Sequence, residues 1–255
     1  MKRIISTILV YLCIFVAAGF AQTKRPEPAP VKIPFSESLQ AVVVTTRDWK
    51  AVRGEARLVE RKTTRSKWKT NGNTFPVVVG RNGLAWDEIL TDDETRGFKR
   101  EGDGNSPAGF FPLTFAFGSG EKGDGVKLPF TKLEESTECV DDVNSTFYNR
   151  VVNRMRVGNF DWSSSEKMLA VGPQYELGIF AAYNSYPVAA GSGSCIFLHV
   201  WHDSATGTAG CTAMEKSDLE KILNWADPKK NPYLVQLTAN NYNDLRERWK
   251  LPKLK

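Results

Sequence analysis

Three side chains with the chemistry of covalent catalysis fall close together in this sequence: His199, His202 and Cys211. The chain holds two histidines in all, and both precede the cysteine. A thiol beside an imidazole gains thiolate character and becomes a nucleophile. Along an extended chain alternate side chains share a face. His199 then points with Cys195, Phe197 and Trp201, and His202 with Ile196, Leu198 and Val200. A given site therefore receives one histidine. His199, in the apolar body of the run, is either the partner of Cys211 or a core histidine bonded to backbone. His202, where the run gives way to a polar loop, is either a site residue or a solvated one. The loop DSATGTAG (203–210) has small residues and two glycines, so its backbone can turn sharply and approach a bound molecule closely. Backbone N–H groups near Gly210 and Cys211 would point at a carbonyl oxygen. A zinc site would need His199 and His202 to reach one point from opposite strand faces, with no fourth ligand nearby. Neither a metal nor another cofactor is expected.

The elements that must hold these residues read as mostly β. Short apolar runs rich in β-branched and aromatic residues occur at 40–46, 55–62, 75–80, 168–172, 178–184, 195–201 and 233–237. Gly, Pro, Asn or Asp punctuate them. The run through His199 is apolar on both faces, as in a buried central strand. Helix signals are few. Ser217-Asp218-Leu219-Glu220 reads as a capping box opening LEKILNWA, with Ser217 as the cap and Pro228 as the stop. A second short helix is predicted over 243–249. Residues 132–165 are polar and read as irregular or partly helical.

At the N-terminus, Lys2 and Arg3 precede the apolar run of residues 4–18, and Gly19 and Ala21 set up a cut before Gln22. That is the layout of a secretory signal peptide over 1–21, too short for a membrane span. Residues 22–34 are rich in proline and charge and read as a linker. Residues 35–255 then form one domain, large enough for an ample core. The chain of 255 residues carries a net charge of +5, falling to about +3 without the leader. Such a mild excess argues against nucleic acid. The basic stretch ERKTTRSKWK (60–69) reads as a solvated face.

Two blocks carry a resemblance. IFLHVW followed by TGTAGCTAM is similar to the active-site segment of the YkuD-type L,D-transpeptidase catalytic domain, in which a strand-borne His precedes a Ser/Thr-x-Gly-Cys turn. KREGDGNSPAGFFPL (99–113) resembles the stretch that this family builds around Thr/Ser-Pro-x-Gly-x-Phe. VVVGRNGLAW (77–86) and the order of the blocks agree, and the likeness runs over roughly residues 75–237. It implies a mainly β, sandwich- or barrel-like domain with a few short helices. It also implies an exported peptidoglycan enzyme of the periplasm or cell envelope. Cys211 would be the nucleophile, His199 its proton acceptor and donor, and Gly210 the shaper of the oxyanion turn. Thr208 stands at the family's Ser/Thr position, and Trp201, Tyr183 and Arg100 are candidates for substrate contacts. The substrate would be a peptidoglycan stem peptide, passed from Cys211 to an amine on another stem or on an anchored envelope protein. The chain departs from the commonest pattern at Ala209, where the family often has His, and at Ala213, where it often has Arg or Asn. A hydrolase of the same fold and a non-catalytic wall-binding domain are the alternatives.

The chain beyond the leader has three cysteines, and an odd count in an exported protein marks a free thiol or an intermolecular pair. With Cys211 free, Cys139 and Cys195 remain as a disulfide candidate; two reduced buried thiols are the alternative. A papain-like arrangement needs a histidine after its cysteine, and none follows Cys211.

Overall fold

The computed structural model describes residues 34–88 and 97–254. The leader segment and all but the last residue of the proline-rich stretch lie outside the described residues.

Among the described residues thirteen strands carry the fold. In chain order they are β1 (Gln40–Thr46), β2 (Arg53–Glu60), β3 (Lys69–Val78), β4 (Leu84–Trp86), β5 (Ser106–Gly118), β6 (Phe130–Lys132) and β7 (Thr137–Val140). After these come β8 (Val151–Asn153), β9 (Ser165–Lys167), β10 (Leu177–Ala181), β11 (Phe197–Val200), β12 (Thr212–Met214) and β13 (Pro232–Thr238). Ten of them form one sheet in the order β10-β11-β12-β3-β2-β1-β13-β5-β4, with β6 also on β5. The long β5 closes it. One part of β5 pairs with β13 (Phe111 opposite Leu234) and its far part with β10 (Gly118 opposite Leu177). The circuit from β5 round to β10 and back is a closed, barrel-like sheet, which leaves no open edge along that path.

Side chains from both faces of the sheet join the larger core. Val42, Leu198, Met214, Leu234 and Val235 are fully buried in it. Helix α1 (Arg154–Val157) is a single turn, whereas α2 (Lys216–Trp225) buries Leu219, Ile222 and Leu223, an i, i+3, i+4 stripe. The cap of α2 is Glu215, with no side-chain bond, so Ser217 lies inside the helix instead of capping it. The helix starts ahead of the capping-box residues because Asp218 and Leu219 N–H both already bond to the Glu215 carbonyl. Helix α3 (Ala239–Leu245) begins before residue 243 because the Thr238 side chain accepts from Asn241 N–H and caps it.

Two other expectations are corrected. Residues 168–172 are not a strand but part of a 3-10 segment, Met168–Tyr175, interrupted by Gly172 at φ 79° and followed by Pro173, which has no N–H for a ladder. Residues 132–165 are partly helical, as α1 shows, but they also hold β7 and β8, which with β9 form a second, antiparallel sheet in the order β8-β7-β9. A disulfide from Cys139 on β7 to Cys195, just before β11, ties the two sheets together. Around it a second apolar cluster forms from Phe117, Met168, Tyr175, Phe180, Phe197 and Cys211.

Candidate active site

Cys211 stands one residue before β12, which runs parallel to β11 with Thr212 opposite Leu198 and Ala213 opposite His199. In line with the alternation read from the sequence, Cys195 and Phe197 lie in the second cluster, where Cys211 joins them, and Ile196 and Leu198 in the barrel core. Phe197 N–H donates to the Cys211 Sγ at 3.3 Å, and the thiol donates to the Cys195 carbonyl at 3.3 Å. The Cys211 carbonyl accepts from two hydroxyls, Ser106 Oγ at 2.8 Å and Thr208 Oγ1 at 2.6 Å. Ser106 Oγ in turn accepts from Gly80 N–H at 2.8 Å. Three stretches far apart in sequence, around residues 80, 106 and 208, therefore converge on one peptide.

Two glycines make that convergence possible. A Cβ at Gly80 would fall 2.4 Å from the Gly104 carbonyl oxygen, closer than any side chain tolerates. At Gly210 it would fall 3.2 Å from the Asn105 carbonyl oxygen, so the role of Gly210 is close approach and not a left-handed turn. Gly210 N–H donates to Thr208 Oγ1 at 3.1 Å. That donor is engaged within its own turn and does not point at an incoming carbonyl, unlike the sequence expectation.

His199 is buried on β11, and its Nδ1 lies 2.8 Å from the Val200 carbonyl. A carbonyl only accepts, so Nδ1 carries the proton and Nε2 is left as a base. Burial holds the imidazole down at about 4, with the Val200 bond opposing. Burial likewise pushes the Cys211 thiol up to about 12, helped by the Glu166 carboxylate and opposed by Phe197 N–H, Tyr175 and Lys99. At neutral pH the pair rests as thiol and neutral imidazole. The Tyr175 ring packs edge-on to His199 with centroids 5.3 Å apart. Its hydroxyl donates to Glu166 Oε2 at 2.8 Å and reaches the Cys211 thiol.

Two clefts of about 200 Å³ each meet at Cys211. One is rich in charge, with Arg81, Lys99, Glu101 and Asp141 in its lining; the other carries His199, Tyr175, Thr208 and His202. Gly210 lines the first, and Glu166 lines both. His202 is exposed at the rim and pairs with Asp203 at 3.0 Å. Trp201, Tyr183 and Arg100 line neither cleft. Tyr183 is buried behind the site with its hydroxyl on the Ser192 carbonyl, and Arg100 pairs with Glu88 at 2.7 Å. Lys99 is buried beside the turn, its ammonium on Asp103 at 2.7 Å. Sequence reasoning missed Glu166 and Tyr175. Neither carries a local signal; only the pairing of β7 with β9, which sets Glu166 opposite Cys139, brings the carboxyl into the cleft.

The family model for the L,D-transpeptidase catalytic domain, YkuD, matches residues 55–235. No curated protein and no solved structure matches the chain. The match takes in the Ser106 block, His199 and the Cys211 turn, whereas β1, which the barrel needs for closure, precedes it. With a closed β domain around this site and most of its length matched, the chain belongs to the YkuD family of L,D-transpeptidase catalytic domains, enzymes acting on peptidoglycan stem peptides.

Proposed function

We propose that the protein is an exported, cysteine-dependent L,D-transpeptidase in which Cys211 carries the stem peptide and His199 moves the protons. One observation carries this reading: the Cys211 thiol and the His199 ring line the same cleft, with the imidazole tautomer set by the Val200 carbonyl. Export is proposed from the N-terminal leader pattern, and the periplasm or cell envelope is where the substrate lies.

The neutral resting pair sets the order of events. As Sγ attacks the amide carbonyl of the stem, its proton passes to His199 Nε2, so the buried thiolate need not persist as a free charge. The imidazolium gives that proton to the leaving amine as the C–N bond breaks, leaving a thioester on Cys211. An amine then attacks the thioester, the C–S bond breaks, and the sulfur recovers a proton through His199. Phe197 N–H, already on Sγ, supports the sulfur whenever it carries charge.

Hydrolysis would follow the same path with water in place of the amine. Ala209 and Ala213, small where relatives often carry polar side chains, keep that outcome open to test. Incubation with defined tripeptide and tetrapeptide muropeptides separates the two: dimers are expected, and shortened monomers alone would make the protein a hydrolase. Exposure to a carbapenem followed by mass spectrometry is expected to show one adduct, lost in Cys211→Ala. Absence of an adduct on the unmodified protein would leave a wall-binding domain as the better reading.

A further inference from the structure

The two clefts share one ionisable side chain besides Cys211. Glu166 lines both of them. One carboxyl oxygen, Oε2, accepts from the Tyr175 hydroxyl at 2.8 Å. Among the described residues the other oxygen has no hydrogen-bond partner, and no lysine or arginine pairs with this carboxylate. A carboxyl held at one oxygen and open at the other, beside a nucleophilic sulfur, is placed to take a positively charged group that approaches the sulfur.

Resting on the transpeptidase reading, we propose that Glu166 receives the ammonium of the acceptor and takes its proton, so that it decides whether an amine resolves the Cys211 thioester. A primary amine reaches the site as an ammonium ion, which has no lone pair for attack. Glu166 carboxylate accepts one proton, giving R–NH₂ and the carboxylic acid. The amine nitrogen then bonds to the thioester carbonyl carbon and the C–S bond breaks. The second nitrogen proton goes to His199 and on to the Cys211 sulfur, while Glu166 returns its proton to water. Water needs no such deprotonation before it binds, so loss of the carboxylate should select against the amine.

The surroundings suit this task. Partial burial pushes the Glu166 carboxyl up to about 7, with Asp141 and Glu101 adding to the rise and Tyr175 opposing it. The other charged or titratable groups lining the two clefts are Cys211, His199, His202, Lys99 and Arg81. Lys99 is committed to Asp103, and His202 to Asp203. A proton acceptor titrating near the working pH is the efficient choice for an amine of high pKa.

The test uses the full chain and a tetrapeptide muropeptide donor, with two acceptor amines: a second muropeptide, and Nα-acetyl-lysine amide as the probe for a protein lysine. Glu166→Gln keeps shape and loses charge. Its Cys211 adduct should form no more slowly than in the unmodified protein, because the lost charge no longer raises the thiol, while transfer to either amine falls about 100-fold and shortened monomer accumulates. Whichever amine transfers faster in the unmodified protein identifies the source of the acceptor. Glu166→Asp should restore part of the transfer. Tyr175→Phe, which removes the bond that lowers the carboxyl, should move the rising limb of transfer near pH 7 to higher pH. An unchanged ratio of transfer to hydrolysis in Glu166→Gln overturns the proposal, and so does equal loss of adduct formation and transfer. If the unmodified protein forms no adduct, the transpeptidase reading itself falls, and this proposal with it.

Discussion

The barrel and the three-stranded sheet supply opposite sides of the same site, yet different forces hold them. In the barrel, whole strands vanish from solvent: every residue of β13 and β12 is buried, and Val42, Val43 and Val44 have no exposed surface. In the small sheet only β7 is buried, and β8 and β9 hold no buried residue. Three short strands cannot bury enough apolar area to stand alone. Polar staples replace it there. Glu138, buried on β7, accepts from Trp162 Nε1 at 2.7 Å and from Ser165 Oγ at 2.7 Å, and pairs with Arg154 and Lys167. The Cys139–Cys195 disulfide then joins the sheet to the barrel. The nucleophile and the imidazole thus sit on the part with a conventional core. Glu166 sits on the part whose stability depends on redox state and charge.

Removing the disulfide should break this comparison most. The bridge spans a sequence separation of 56 residues, which the chain-entropy model converts to about 4 kcal/mol. In the double variant Cys139→Ser/Cys195→Ser, amide exchange should accelerate over β7 and β9 while β1 and β13 stay protected. Equal loss of protection in both sheets would show that they form one cooperative unit. Leu198→Ala probes the other side. Its side chain is fully buried in the barrel core, and truncation there should cost about 3 kcal/mol. The expected result is a lower denaturant midpoint for the whole domain, since the small sheet has no support once β11 is lost.

The same contrast explains what the sequence disclosed. Six barrel strands were legible because β-branched runs such as QAVVVTT have few alternative uses, whereas β5, broken in sequence by Pro107, Gly109 and Pro112, and the three-residue β4, β6 and β12 were not read as strands. Strand alternation was enough to put Cys195 and Phe197 on one side of the β11 run and Ile196 and Leu198 on the other. The small sheet was illegible because its strands are three or four residues long and polar, and their pairing is decided by contacts far along the chain. MLAVG looked like a strand because composition cannot register a left-handed Gly172 or a proline that lacks a donor. The capping box at Ser217 was a real local pattern, overridden when the chain turned into the helix at Glu215. Glu166 lies in SSSEK, a stretch with the look of a solvated loop. Its place beside Cys211 follows from register with Cys139, which no local pattern encodes.

Acid should sharpen the comparison with a somewhat smaller effect. Despite its burial, hydrogen bonds from Lys167, Ser165 and Trp162 hold the Glu138 carboxyl down at about 2 against an ordinary 4.5. A carboxyl depressed by folding stabilises the fold above its unfolded pKa. That contribution is lost as pH falls from about 4.5 towards 2. Lys167 and Arg154 are partly exposed, so solvent screening trims the effect to about 2 kcal/mol. Emission from Trp162, bonded to this carboxylate, should change in that window before the barrel signals do. Glu138→Gln should remove most of that pH dependence, and a Trp162 transition unmoved by the substitution would assign acid sensitivity elsewhere.

The smallest effect falls at the junction of the two systems, on the Cys211 carbonyl. Ser106 reaches it from β5 and Thr208 from the glycine loop, so either hydroxyl alone leaves the oxygen bonded. Ser106→Ala and Thr208→Val should each slow acylation of Cys211 by about fivefold, the equivalent of about 1 kcal/mol. The two losses are not expected to add. With both hydroxyls gone a buried carbonyl is left without either donor, and the double variant should fall well beyond the product of the single effects. Thr208 has a second task that Ser106 lacks, because its oxygen also accepts from Gly210 N–H. Thr208→Ser keeps both bonds and should behave as the unmodified protein. Thr208→Val releases that N–H toward the charged cleft, so its acylation should fall less than its loss of stability implies. If Ser106→Ala and Thr208→Val instead match in both rate and melting temperature, the Gly210 donor plays no part in the chemistry, and the turn acts only by holding the Cys211 peptide in place.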